Sequence, residues 1–326
     1  MNTCRVALAA TTACLLLSDR PVHAQDRVAQ AKTAFQNDVH AGAGLTCISC
    51  HTAGASRISV PEFAAPKRKD IAPLCGKCHS DAAYMRPFAP QMRVDQLAQY
   101  VTSVHGTRMA AGEDRVATCS DCHGAHGVVR VSDTRSPVAG VCAQCHVREA
   151  ELFRGSPKKA LFEAIGQPGC LTCHSNHRIE APADAWIGLS KEAVCATCHD
   201  ESTPGSKTIV EVRQGLDGLT THIAAAQNVL ARAERAGMLV DEGSAALREA
   251  REHLIHSRVM VHAFASTPFT ETMSPGLLAA QHAEQFGVRA LRELAVRRRG
   301  LGVATVFIVG FLVSLWLKIR RLPVSQ

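Results

Sequence analysis

Twelve cysteines and six histidines in this chain recur in a single arrangement, two cysteines three positions apart with a histidine directly after the second. The six copies are Cys47-Cys50-His51, Cys75-Cys78-His79, Cys119-Cys122-His123, Cys142-Cys145-His146, Cys170-Cys173-His174 and Cys195-Cys198-His199. Two thiols at this spacing can each add to one vinyl group of the same porphyrin. The next residue then lies beneath the iron and coordinates it through imidazole. The pattern therefore implies six covalently attached haem c groups, with the cysteines as thioether anchors and the motif histidines as proximal ligands.

Other chemistries fit less well. An even cysteine count in an exported chain suggests a disulfide framework, but the histidine after every pair has no place in one. Zinc sites complete a tetrahedron from a second pair or from separated histidines, and they do not require histidine beside the second cysteine. A dithiol redox pair would be a single motif in an α/β domain, and no such pattern is present.

Each haem iron takes a sixth ligand or keeps an open position. A second histidine gives a low-spin iron suited to electron transfer, whereas an open position permits catalysis. Outside the motifs and the first 24 residues the chain offers His40, His105, His126, His177, His222, His253, His256, His262 and His282. His262 sits among apolar residues in VMVHAF, which suits a helix presenting imidazole to a haem edge. His253 and His256 share a helix face, and His222 flanks an apolar stripe.

The elements that must position these groups fall into distinct stretches. Residues 1–24 read as a secretory signal peptide: Arg5, an apolar run over 6–17, and Val22-His23-Ala24 as a small-residue cleavage site. A lipoprotein leader modified at Cys14 is disfavoured, because Thr11-Thr12-Ala13 is a poor recognition sequence and the apolar run continues past it. Residues 25–205 hold all six motifs, are rich in Gly, Pro, Ser and Thr, and lack long periodic runs. At roughly 30 residues per motif the chain is too short to enclose each haem separately, so the haems themselves are expected to form the core.

From residue 206 to 299 the composition turns to Ala, Leu, Arg and Glu. Val212, Leu216, Leu219, Ile223 and Leu230 form a helical stripe that ends near Gly237. A second helix, with Leu247, Leu254 and Val261 on one face, begins after 241–244 and ends before Pro268. Ser274-Pro275 reads as the cap and first position of a third helix that continues to the C-terminal apolar segment. Residues 301–317 carry no charge and rise roughly 26 Å as a helix, the short limit for a membrane span. The expected span is 300–318, with residues 319–326 as a cytoplasmic tail. Basic residues flank it on both sides, so the exported leader, not the loop charge, sets the orientation. The fold class expected is mainly α with much irregular loop: a haem-cored domain, a helical hairpin and a C-terminal transmembrane helix. Although the net charge is +7, only 4% of residues are aromatic and the basic residues are scattered or flank the anchor, which excludes nucleic acid as a partner.

The six motifs, together with the doubled histidines of CHGAH (His126) and CHSNH (His177), resemble the class III-like multihaem cytochromes. In that group the extra histidine ligates a neighbouring haem. His105, in SVHG before the third motif, and His40, before the first, resemble distal ligands of the same group. The resemblance implies electron transfer between the quinone pool or a membrane complex and periplasmic or extracellular acceptors. The haem domain would lie on the periplasmic side of the inner membrane, with redox proteins as partners, among them a quinol-oxidising complex. Two features depart from the pattern. Before the fifth motif, where such cytochromes carry histidine, this chain has Gly155-Ser156-Pro157-Lys158-Lys159. One haem could therefore take lysine or a helical histidine, or stay open as in a reductase, which is the enzymatic alternative to a carrier. The anchor also lies at the C-terminus, whereas quinol dehydrogenase cytochromes of related type place it at the N-terminus, so their quinol site is not transferred.

Overall fold

The computed structural model describes residues 24–51, 66–130 and 139–321. The expected leader, with Cys4 and Cys14, lies outside the described residues apart from Ala24, and so do residues 322–326 of the expected tail. Regular structure among the described residues is helical, without strands. The chain groups into two compact units, Met1–Ala98 with His105–Arg135, and Gln99–Val104 with Ser136–Gln326. The first holds motifs one to three and the second motifs four to six.

In the first unit the helices are short: α1 (Ala24–Gln36), α2 (Val39–Gly42), α3 (Cys47–Cys50), α4 (Arg68–His79) and α5 (Ala82–Met85). Next come α6 (Gln96–Thr102), whose last residues group with the second unit, α7 (Val104–Ala110) and α8 (Cys119–His123). Side-chain caps start several of them. Asp38 accepts from the His40 backbone N–H at α2, and Asp81 accepts from the Ala83 and Tyr84 N–H groups at α5. Asp38 is buried and also accepts from Val128 N–H at 2.9 Å, so one carboxylate joins the start of the unit to the segment after the third motif. Glycine at position 76 lets Leu97 lie against α4, since a Cβ there would come within 2.3 Å of the leucine Cδ2.

The second unit opens with α9 (Ala139–Cys142), α10 (Val147–Gly155), α11 (Pro157–Ala164) and α12 (Cys170–His174). Three long helices follow, α13 (Ser206–Arg235), α14 (Asp241–Met260) and α15 (Ser266–Arg320). Their core contains Leu216, Leu219, Ile223, Ala226, Leu230, Leu247, Ala250, Leu254, Phe269, Ala280 and Ala283. The stripe predicted on α13 is the face that packs here. Helix α15 approaches its neighbours through small residues. A Cβ at Gly287 would meet Val229 Cγ1 at 2.7 Å, and one at Gly276 would meet His253 Cβ at 2.4 Å.

One boundary differs from expectation. The third helix begins at Ser266, and Pro275 lies inside it. A proline here forfeits the hydrogen bond to the Glu271 carbonyl. Extending the helix N-terminally buries Phe269, which is 1% exposed and packs beside Gly215, a gain of about 1.5–3 kcal/mol that offsets the loss. At 55 residues, α15 is about 80 Å long. Its most apolar 18 residues have mean hydropathy 2.2 and none of them is buried, and it is the helix among the described residues long and apolar enough to cross a membrane.

Candidate haem-iron ligand sites

Local sequence fixes the motif turns. Thr46 and Thr118 each cap the helix that begins at the next cysteine, in a capping box closed by Ser49 and Asp121. Asp121 accepts from the Thr118 N–H and hydroxyl, both at 2.7 Å, and from the Arg68 guanidinium, also at 2.7 Å. Arg68 donates as well to the Val116 carbonyl at 2.8 Å. The second and third motifs are thereby tied together through the first turn of α4.

Motif histidines meet non-motif histidines in pairs. His79 faces His40 with ring centroids 5.9 Å apart, His51 faces His126 at 6.0 Å, and His174 faces His262 at 6.1 Å. Ring planes are perpendicular in the first pair (89°) and near parallel in the others (13° and 16°). A fourth motif histidine meets a lysine: His199 Nε2 lies 2.8 Å from Lys158 Nζ.

In several of these side chains the second ring nitrogen is engaged by an acceptor. His40 Nδ1 is 2.7 Å from Asp38 Oδ1, and His262 Nδ1 donates to the Val259 carbonyl at 2.9 Å. His199 Nδ1 sits 3.3 Å from the Thr203 hydroxyl. Such bonds hold the proton on Nδ1 and leave the Nε2 lone pair for a metal. Burial pushes the pKa values of His51, His79, His123, His174 and His199 down, with the facing His126, His40, His262 and Lys158 adding to it at four of these sites. They are therefore neutral imidazoles near pH 7, the form that ligates.

His262 is delivered by a 3₁₀ turn, Val261–Ala263, between α14 and α15. Phe264 closes that turn in the left-handed region (φ 51°), a conformation costing a non-glycine residue on the order of 1 kcal/mol, and its ring packs against Phe153 at 6.4 Å. On the other side of His174, Trp186 stands 5.7 Å away on a 3₁₀ turn, Asp184–Trp186. Arg258 of α14 donates to both Asp184 carboxylate oxygens, and Arg213 of α13 to the Asp184 carbonyl.

No disulfide joins the motif cysteines, so each sulfur is available for a thioether bond. The side chains of Cys75 and Cys119 lie within reach of each other, and so do those of Cys142 and Cys170. Second and third motifs thus touch through their first cysteines, and so do the fourth and fifth.

The remaining histidines separate into two groups. His105 lies on α7 and His177 after α12, each partly buried. His222, His253 and His282 instead serve the long helices. His222 pairs with Glu284 at 2.9 Å, His253 donates to the Thr272 carbonyl, and His282 lies 3.6 Å from Glu242. His256 is exposed on α14. The sequence offered lysine at 158 or 159 as a substitute ligand where histidine is missing, but nothing in the spacing from residue 158 to 199 pointed to their meeting.

The donor set suits a porphyrin iron. Two imidazoles on opposite sides of one metal, about 2 Å from each nitrogen, have centroids about 6 Å apart. The observed separations match that, and among the described residues no cluster of three or more His, Cys, Asp or Glu side chains assembles as a tetrahedral ion site would need. A metal whose equatorial ligands come from its own macrocycle asks the protein for two opposed donors.

The family model of cytochrome c3 matches the chain twice, over residues 39–146 and 112–200. Each match takes in four motifs, and the two share the third and fourth. No curated protein and no solved structure matches. Helical turns at the cysteines, paired imidazoles about 6 Å apart and the doubled family match agree, and the stretch from residue 39 to 200 is a cytochrome c3-like multihaem region, which implies electron transfer.

Proposed function

We propose that this protein is a membrane-tethered electron carrier holding six haem c groups. The three histidine pairs, with ring centroids 5.9 to 6.1 Å apart, carry the reading, because each joins one motif histidine to one histidine from elsewhere. Haem c supplies an iron that gains and loses one electron. Cys47, Cys50, Cys75, Cys78, Cys119, Cys122, Cys142, Cys145, Cys170, Cys173, Cys195 and Cys198 anchor the macrocycles. His51, His79, His123, His146, His174 and His199 bind from one side. His126, His40 and His262 bind opposite His51, His79 and His174, and His105 and His177 are left for the irons of His123 and His146. Residues around each pair hold the imidazoles neutral and oriented and so tune the potential. Helix α15 enters the inner membrane through residues 300–318, with the haem-bearing part on the periplasmic side after export. Its partners are a quinone-linked membrane complex and periplasmic or extracellular acceptors.

Pyridine haemochrome analysis with intact mass should give six haems per chain in the membrane-extracted protein. Low-temperature EPR should then show low-spin ferric iron insensitive to nitrite. Fewer than six haems, or a dominant high-spin signal, would refute the carrier as stated. Truncation after Arg299 should move the protein from the membrane to the soluble fraction with its haem content unchanged.

A further inference from the structure

The geometry points to Lys158 as the second axial ligand of the iron bound by His199, so that one of the six haems has a His/Lys pair. The assignment rests on the haem reading of the motifs. Four observations support it. Lys158 Nζ lies 2.8 Å from His199 Nε2, the nitrogen through which a motif histidine binds iron. Nδ1 of the same ring is engaged by the Thr203 hydroxyl at 3.3 Å, which leaves Nε2 directed at the lysine. Among the described residues no carboxylate forms an ion pair with Lys158, whereas its neighbour Lys159 pairs with Glu163 at 3.1 Å. Lys158 also occupies, in the second family match, the interval between the second and third of four motifs, which in the first match holds His105.

The local fold explains why residue 158 and not 159 reaches the site. Gly155 ends α10, Ser156 donates to the Phe153 carbonyl at 2.7 Å, and Pro157 starts α11 at its first position. Lys158 is then set in the first turn, with its ammonium 6.0 Å from the Phe162 ring. With iron between them the two nitrogens stand about 4 Å apart, so the flexible lysine stem retracts by roughly 1 Å. The bond forms from the neutral amine lone pair, and the ammonium proton leaves to solvent. A primary amine and an imidazole differ as donors, which gives this haem a spectroscopic identity and a potential of its own.

The test uses the full-length, haem-loaded protein, with haem counted in each variant. In the wild type, near-infrared magnetic circular dichroism should resolve a minor low-spin band, about one sixth of the total, distinct from the bis-histidine band. Lys158→Ala should convert that sixth to high-spin iron that binds cyanide, Lys158→His should return it to the bis-histidine band, and Lys159→Ala should change nothing. Should Lys158→Ala fail to load haem, loss of the minor band in Lys158→His alone supports the assignment. A wild type with six haems and only bis-histidine bands, or a minor band that survives Lys158→His, overturns it and leaves the carrier reading intact. A wild type with fewer than six haems refutes both.

Discussion

The motif-bearing stretch and the long-helix bundle bury apolar surface in opposite ways. Before residue 200 the buried hydrophobic side chains among the described residues are Ala72, Met85, Ala150, Phe153 and Ala193, three of them alanine. Between residues 206 and 299 a continuous core runs through Leu216, Leu219, Ala226, Ala250, Phe269 and Ala280, every one at most 1% exposed. Burial of that kind supports a bundle without help. The motif stretch has caps, turns and a few ion pairs, and little else of its own to exclude water. On the proposed reading, the difference teaches that haem supplies the missing core in the motif stretch while side chains supply it in the bundle, with His262 carried from the bundle toward the motif stretch.

The sharpest way to break this comparison is to withhold haem. In cells lacking haem attachment, the motif stretch should be digested by dilute protease while a fragment beginning near residue 206 survives. If the stretch before 206 resists equally, the contrast is wrong. Next in size is Leu216→Ala, which removes a side chain with no exposure and should cost about 2–5 kcal/mol, read as a lowered unfolding midpoint of the bundle with haem spectra retained. Loss of the haem spectrum at the same time would mean that the two regions stand or fall together.

Ligand variants sharpen the picture within the motif stretch. His126→Ala and His40→Ala should each convert about one sixth of the low-spin iron to high-spin. They should remove different EPR signals, because the planes in the His40–His79 pair are perpendicular and those in His51–His126 near parallel. Perpendicular planes leave the two iron dπ orbitals nearly equal in energy and give a highly anisotropic signal, whereas parallel planes split them and give a rhombic one. Identical losses from the two variants would contradict the pairing. The smallest effect should come from Asp121→Ala, which removes a helix cap and the Arg68 partner. A destabilisation of about 1 kcal/mol is expected, read as faster proteolysis near the third motif with all haems retained.

Much of this was legible in the residues. Periodicity gave the α13 face, since Val212, Leu216, Leu219 and Ile223 recur at helical spacing and all of them are buried. Gly237, at φ 84°, follows the end of α13 as its position suggested. The start of α15 was misread because Ser274-Pro275 is a good local cap, and local preference gave way to burial of Phe269 five residues upstream. His262 stood out by its apolar neighbours, but its approach to His174 depends on the left-handed Phe264 and on the Asp184–Arg258 pair, which no spacing encodes.

The sequence by itself determined the local features: where each cysteine pair lies, which histidine follows it, and where long helices run. Covalent attachment and helical periodicity are local, set by residues within a turn or two of each other. Tertiary structure alone decided which residues come to lie beside four of the motif histidines. His40 with His79, His51 with His126, His174 with His262 and Lys158 with His199 join residues from about 39 to 88 positions apart, and chain distance carries no information about such meetings. They are set by how short capped helices stack once the cysteines are fixed, and that is a property of the fold.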